Sequence, residues 1–173
     1  MGNRLWQFGL LFVGAVASQA LLFDNMVLWN YVSPLPYVIF ILLLPSDTPR
    51  LWQLVLAFVL GLSIDALASS LGLHAAASTL MAFLRPYLLG RLHSRQGKET
   101  DYIPSMGSMG SIWSLKYTLI LVAAHHVTLF FLATTSMSNL WNTFARALVT
   151  TIFTSFMVLL LQLFLFSTTS KSN

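Results

Sequence analysis

Long apolar runs separated by short polar breaks extend through this 173-residue chain. The runs are Leu5–Phe23, Met26–Leu44, Leu51–Ser69, Gly72–Leu92, Leu115–Thr135 and Leu140–Phe166. A helix needs roughly 20 mainly apolar residues to cross a bilayer, and every run approaches or exceeds that length. The pattern predicts an all-α polytopic membrane protein with six transmembrane helices in a single membrane domain over residues 1–173. Asp24-Asn25, Pro45-Ser46-Asp47-Thr48-Pro49-Arg50, Ser70-Leu71 and Ser136–Asn139 supply the short breaks. Asp47 or Thr48 is expected to cap the third helix. Pro34 and Pro36 interrupt the second run, which therefore reads as a kinked span or as a short helix preceded by an extended segment. Residues 93–114, with Gly97, Pro104, Gly107 and Gly110, read as a solvated cytoplasmic loop, and 167–173 as a polar tail.

Charge placement orients this arrangement. Arg4, Arg50, Arg91, Arg95, Lys98, Lys116 and Lys171 all fall on one side of six spans, and the loops on the other side carry no Lys or Arg. The positive-inside rule makes that side cytoplasmic, with both termini inside. Trp6, Trp52 and Trp113 then fall near the inner interface, and Trp29 and Trp141 near the outer one. The first run is longer than the usual apolar core of about 7–15 residues in a signal peptide, so it reads as an uncleaved span. Composition narrows the function. The chain is 57% hydrophobic and only 8% charged, against about 25% charged in ordinary domains, which excludes a soluble enzyme. Without cysteine there is no disulfide, thiolate metal site or thiol nucleophile. No basic stripe interleaved with aromatics points to nucleic acid.

The candidate chemistry centres on the hairpin Leu51–Leu92. An ionisable residue inside an apolar span is a functional-site hypothesis, because it is expensive to leave there. Asp65 is such a residue. Ala57, Gly61, Asp65, Ala68 and Gly72 recur every three or four positions and so share a helix face, a small-residue stripe that lets another helix approach closely. His74 follows the short turn and can lie at similar depth to Asp65. Arg146, six residues into the last span, lies at about the same depth, where no other Arg or Lys is found, and its long side chain could also reach the outer interface. The expectation is a cluster of Asp65, His74 and Arg146 in which Arg146 neutralises Asp65, either as a structural pair or as a partner-binding site. Arg85, beside Pro86 and Tyr87, is expected to snorkel to the cytoplasmic side. His125 and His126 are adjacent, about 100° apart on a helix, and do not suit one metal. One is expected to bond a neighbouring helix and the other to fill space. GxSxG, P-loop and HExxH motifs are absent, so the chain reads as non-catalytic, without cofactor or metal.

Pro36-Tyr37 leads into a short apolar segment. Phe58-Val59-Leu60-Gly61-Leu62-Ser63-Ile64-Asp65 and then Leu71-Gly72-Leu73-His74-Ala75-Ala76 follow. This pattern resembles the rod shape-determining protein MreD family, and its most specific piece is Gly-Leu-x-x-Asp followed by Gly-Leu-His. Arg85-Pro86-Tyr87-Leu88-Leu89 and His125-His126 look like members with a long loop between the fourth and fifth spans. The resemblance covers nearly the whole chain. It implies a non-catalytic inner-membrane subunit of the bacterial cell-elongation complex, which maintains rod shape through peptidoglycan synthesis. The implied partner is the scaffold MreC, and through it MreB, RodA and a penicillin-binding transpeptidase. The family's fold is similar to that of the substrate-binding subunits of energy-coupling-factor transporters, six helices with a pocket open to the outside. Asp65 and His74, with Gly61 and Gly72, would shape that pocket or a partner surface.

The alternative is a vitamin-binding subunit of such a transporter. Those proteins commonly dock through Ala-x-x-x-Ala on the first helix, whereas here Ala15 is followed four positions later by Gln19 and Ala17 by Leu21. A proton-coupled carrier built around Asp65 and His125 would call for inverted repeats, and no internal repeat is visible.

Overall fold

A computed structural model of the chain describes residues 2–23, 31–92, 102–134 and 140–167. The expected turn at Asp24-Asn25, Trp29, the loop positions His93 to Asp101, the connection Ser136–Asn139 and the tail beyond Ser167 lie outside them. The described chain is all-α, with seven helices. They are α1 (Gly2–Ser18, continued by a π-helical turn Gln19–Phe23), α2 (Ile39–Leu42, preceded by a 3-10 turn Pro36–Val38), α3 (Arg50–Ala68), α4 (Leu73–Leu92), α5 (Met106–Met109), α6 (Ser111–Ala133) and α7 (Leu140–Ser167). Four stretches, Trp6–Phe23, Arg50–Ala68, Ser111–Ala133 and Leu140–Leu165, are long and apolar enough to cross a bilayer, the mark of a multi-pass membrane protein. They expose large apolar side chains such as Trp6, Val13, Leu51, Ile152 and Phe156. An exposed apolar face of this extent suits lipid and not water.

α4 packs between α3 and α6, and α6 packs on α7. The α3–α4 turn marks one end of the bundle, here the hairpin end. Arg50, Arg91 and Lys116 sit at the opposite, basic end, where the Trp113 indole N–H donates to Leu92 O at 3.3 Å. Neither Asp47 nor Thr48 caps α3. The residue before its first turn is Pro49, which makes no side-chain cap, and the Gln53 amide reaches back to Thr48 O at 2.7 Å. α6 begins at Ser111, inside the stretch expected to be loop. The second half of that loop is folded onto the basic end. α5 carries a reciprocal Ser105–Ser108 capping arrangement, Met106 N donates to Gln162 Oε1 at 3.0 Å, and Ser46 N donates to Tyr102 O at 2.9 Å.

The least regular element lies at the centre. Of the two forms open to the second run, the structure takes the short helix preceded by an extended segment, and every residue from Pro34 to Leu44 is buried. Tyr31 hydroxyl donates to Asn142 Oδ1 at 3.0 Å near the hairpin end, while Ser46 meets Tyr102 at the basic end. Residues 31–46 therefore join the two ends through the interior. Irregular backbone at membrane depth is tolerated only where protein surrounds it and satisfies its polar groups. Four helices do so. Arg146 Nε of α7 donates to Tyr31 O at 3.0 Å. The amide of Gln19, after α1, donates to Pro34 O at 3.4 Å. Leu35 N donates to Thr154 Oγ1 of α7 at 3.2 Å. Tyr117 hydroxyl of α6 donates to Leu42 O at 3.1 Å, and Arg85 Nη2 of α4 donates to Leu44 O.

Arg85 does not snorkel; its side chain is wholly buried. Its Nε donates to Tyr117 hydroxyl at 2.9 Å and its Nη1 to Gln53 Oε1 at 3.1 Å. A guanidinium spreads its donors in a fixed fork, which suits three acceptors arriving from three directions. The carbonyls it and Tyr117 reach lie at the C-terminal end of α2, where a cation is favoured. Beyond this cluster, partial burial pushes the Tyr102 phenol above its usual range and the Arg85 charge opposes that rise.

Arg85→Ala leaves three buried acceptors short of a donor, so unfolding in detergent should show a loss of about 3 kcal/mol, at about 1–3 kcal/mol per unsatisfied group less the relief of burying a charge. Arg85→Lys should recover less than half of it, because an ammonium cannot reach all three groups; full recovery would mean that only charge matters.

Candidate functional site

Asp65 sits in the last turn of α3 and is 3% exposed. α3 stops at Ala68 because Ser69 adopts the left-handed conformation, φ 54°, and the N–H groups of Ser69 and Ser70 fold back onto Asp65 O. Gly72 follows at φ +79°, a conformation costly for a residue with a side chain. The chain then turns straight into α4. Asp65 Oδ1 accepts from Ser70 Oγ at 2.6 Å and from His74 N at 3.0 Å, and Oδ2 accepts from Ala75 N at 2.8 Å. The first N–H groups of a helix have no partner within it. Asp65 therefore caps α4 from the neighbouring helix, with its negative charge against the positive end of the α4 dipole.

The cap depends on a close helix crossing one turn earlier. A Cβ on Gly61 would lie 2.5 Å from both Ala75 Cα and His74 O. Those are backbone atoms and cannot swing aside. Ala57, one turn further back, is fully buried on the same face. The stripe is shorter than the sequence pattern suggests. Ala68 is exposed and Gly72 lies in the turn, because the helix ends before either can continue the packed face.

Arg146 does not neutralise Asp65. It is committed to the extended segment, with Nε on Tyr31 O, Nη2 on Ser33 Oγ at 3.3 Å, and its guanidinium 5.2 Å from the Phe130 ring centre. Among the described residues Asp65 is neutralised by N–H and O–H donors and not by a cation. Of the expected trio, the structure brings Asp65 and His74 together and leaves Arg146 elsewhere.

The His74 ring makes a second connection that sequence reasoning missed. Tyr37 hydroxyl, wholly buried, lies 2.7 Å from His125 Nε2, 3.0 Å from His74 Nδ1 and 3.4 Å from Ser78 Oγ. Both imidazoles meet the Tyr37 ring edge-on, with centroids 5.6 and 5.8 Å away. His126 Nδ1 donates to Val122 O at 2.9 Å, and its Nε2 faces Thr154 Oγ1 at 3.3 Å, the same hydroxyl that accepts from Leu35 N. Neither His125 nor His126 is a space filler. A proline-broken apolar segment containing a tyrosine, in a chain with few polar groups, was the available signal. A buried phenol usually has a hydrogen-bond partner, and histidine is the residue type able to supply one from several sides. Beside His74 opens a cavity of about 210 Å³, walled by Gln19, Phe23, Ser33, Leu35 and Phe130. Among the described residues no cluster of His, Asp or Glu is suited to a metal ion.

Comparison with known protein families, curated proteins and solved structures finds no match to this chain.

Gly61→Ala should destabilise the fold by about 1–3 kcal/mol through overpacking against α4, and Asp65→Asn by about 1–3 kcal/mol by presenting an NH2 to an N–H donor. Exchanging the charges, Asp65→Arg with Arg146→Asp, should be at least as damaging as the two single changes summed. Recovery of stability in the double exchange would restore the ion-pair reading.

Proposed function

We propose that this chain is a non-catalytic, MreD-type subunit of the bacterial inner membrane. In this reading it serves the cell-elongation complex by binding MreC and, through MreC, acts with MreB, RodA and a penicillin-binding transpeptidase. The observation that carries the reading is the use made of Gly61, Asp65 and His74, the most specific residues of the resemblance. The glycine admits the helix crossing and the carboxylate caps the helix that crosses. All their polar capacity in that contact goes into holding two helices in one relative position, which is what a partner-binding bundle needs and what turnover does not.

The reading includes six crossings with both termini in the cytoplasm, the buried segment 31–46 serving as the second. Its contacts at both ends of the bundle support this, and so does the arrangement that results, with Arg50, Arg91 and Lys116 together at one end. The hairpin end is then periplasmic, as the resemblance to the MreD family implies. The vitamin-binding alternative is less favoured, because the cavity at the hairpin end, about 210 Å³, falls below the roughly 300–1,000 Å³ of small-molecule sites.

Depletion of the protein in a rod-shaped host should round the cells, and the tagged protein should retain MreC when purified in mild detergent. Asp65→Asn should weaken both rod maintenance and MreC retention in proportion to its loss of folded protein. Cells that stay rods while vitamin uptake fails would overturn the proposal.

A further inference from the structure

A larger cavity opens at the basic end of the bundle. Its volume of about 600 Å³ lies within the roughly 300–1,000 Å³ of small-molecule sites. Leu92 at the end of α4, Met109 and Gly110 after α5, and Ile112, Trp113 and Lys116 in the first two turns of α6 wall it. The walls are fixed by contacts of their own. The Trp113 indole N–H is committed to Leu92 O, and its ring stacks on Tyr117 with centroids 4.8 Å apart, so it joins α6 to α4 as a rigid plate. α5 is held to α7 by the bond from Met106 N to Gln162. Gly110 keeps the mouth open, since a Cβ there would meet nothing within 4 Å.

The lining is apolar with one charge. Ile112, Trp113 and Lys116 are three and four positions apart and share a face of α6. Among the described residues Lys116 has neither an ion pair nor a hydrogen bond. The other exposed cations of this end are provided for. The Arg50 guanidinium lies 5.5 Å from the Tyr87 ring centre, and Arg91 stands in the last turn of α4, where the helix dipole favours a cation. Lys116 stands near the start of α6, where the dipole gives a cation no support, and the first turn of that helix has no acidic residue to offset it. Asp47, in the turn before α3, does not line the cavity.

Position selects the occupant. α6 is long and apolar enough to cross a bilayer, so its first two turns stand at the membrane–water interface. Ile112 is 73% exposed there, and Leu115 is exposed beside it. Helical side chains lean toward the helix start, so the Lys116 stem runs back past Ile112 and carries its ammonium toward headgroup level. A soluble anion would meet the ammonium and leave Leu92, Met109 and Ile112 uncovered. A lipid meets both.

We propose that this groove binds one anionic phospholipid. The Lys116 ammonium holds the phosphate, and Leu92, Met109, Ile112 and Trp113 lie against the glycerol and the first methylenes. Basic pockets between membrane helices on the cytoplasmic side suit anionic headgroups. A zwitterionic headgroup is disfavoured because it sets a cation of its own against Lys116. The site rests on membrane placement of the chain and not on the cell-elongation reading.

The test is native mass spectrometry of the full chain in mild detergent, titrated with dioleoyl phosphatidylglycerol or dioleoyl phosphatidylcholine. The first phosphatidylglycerol should bind about fivefold more tightly than the first phosphatidylcholine, the worth of one lysine at an anionic surface. Lys116→Gln should erase that preference. Ile112→Glu, which sets a carboxylate at the mouth, should erase it as well; both positions are exposed, so neither change touches the core. Arg50→Gln, at the same end but outside the groove, should keep it. Excess glycerol 3-phosphate should not displace the lipid. A wild-type chain without the preference, a preference that survives Lys116→Gln, an equal loss in Arg50→Gln, or displacement by glycerol 3-phosphate overturns the proposal.

Discussion

A buried peptide group stripped of both water and a protein partner is costly, and the segment 31–46, buried from Pro34 to Leu44, is where this chain meets that constraint. Pro34 and Pro36 remove two backbone donors and prevent a regular helix there. The bundle answers with side chains. Arg146 and Gln19 reach its first half, Thr154 accepts from its middle, and Tyr117 and Arg85 take the carbonyls at its end. Four buried side chains, Gln19, Thr154, Tyr117 and Arg85, thereby acquire one explanation, as surrogate partners for a backbone that cannot partner itself. The two deep arginines are then not an unexplained pair of charges. Each sits at one end of the segment and holds it there.

The α3–α4 hairpin solves a related problem by a different route. Its two helices cross so closely at Gly61 that no side chain fits, and the first turn of α4 is left with bare donors beside that crossing. Asp65 supplies the acceptors from one turn away. The contact and the cap require each other, since without the glycine the carboxylate could not reach, and without the carboxylate the close crossing would bury unsatisfied N–H groups. His74 links this junction to the central segment through Tyr37. The hairpin and the buried segment therefore form one mechanical unit, the feature that a partner-binding membrane subunit would need to present a fixed surface.

Much of this was legible in the residues, and the misreadings have definite causes. Four helices long and apolar enough to cross a bilayer follow from run length and apolarity alone. That Asp65 faces inward with a small residue one turn away followed from helical spacing. Its partner did not, because an inventory of side-chain charges points to Arg146 and says nothing of the backbone donors at a helix start. Arg85 was misplaced for the complementary reason. A long cation near a span end can reach water or be enclosed, and only the packing of the broken segment against α4 decides which. The stripe through Ala68 and Gly72 failed because a left-handed serine ended the helix, and serine is not a residue whose type announces that conformation. Tyr37 was visible as a letter, but its three partners come from residues 74, 78 and 125. Such a convergence exists only once the bundle is assembled.

The claim that neighbouring side chains hold the buried segment is tested most directly at the Leu35 amide, which donates to Thr154 Oγ1. Amide hydrogen exchange of the membrane-embedded protein should be compared with that of Thr154→Val, which keeps the side-chain shape and removes the acceptor. The account predicts that Leu35 exchange quickens by about tenfold, the equivalent of roughly 1.4 kcal/mol, while the amides of α3 and α4 are unchanged. A Leu35 amide equally protected in Thr154→Val would contradict it.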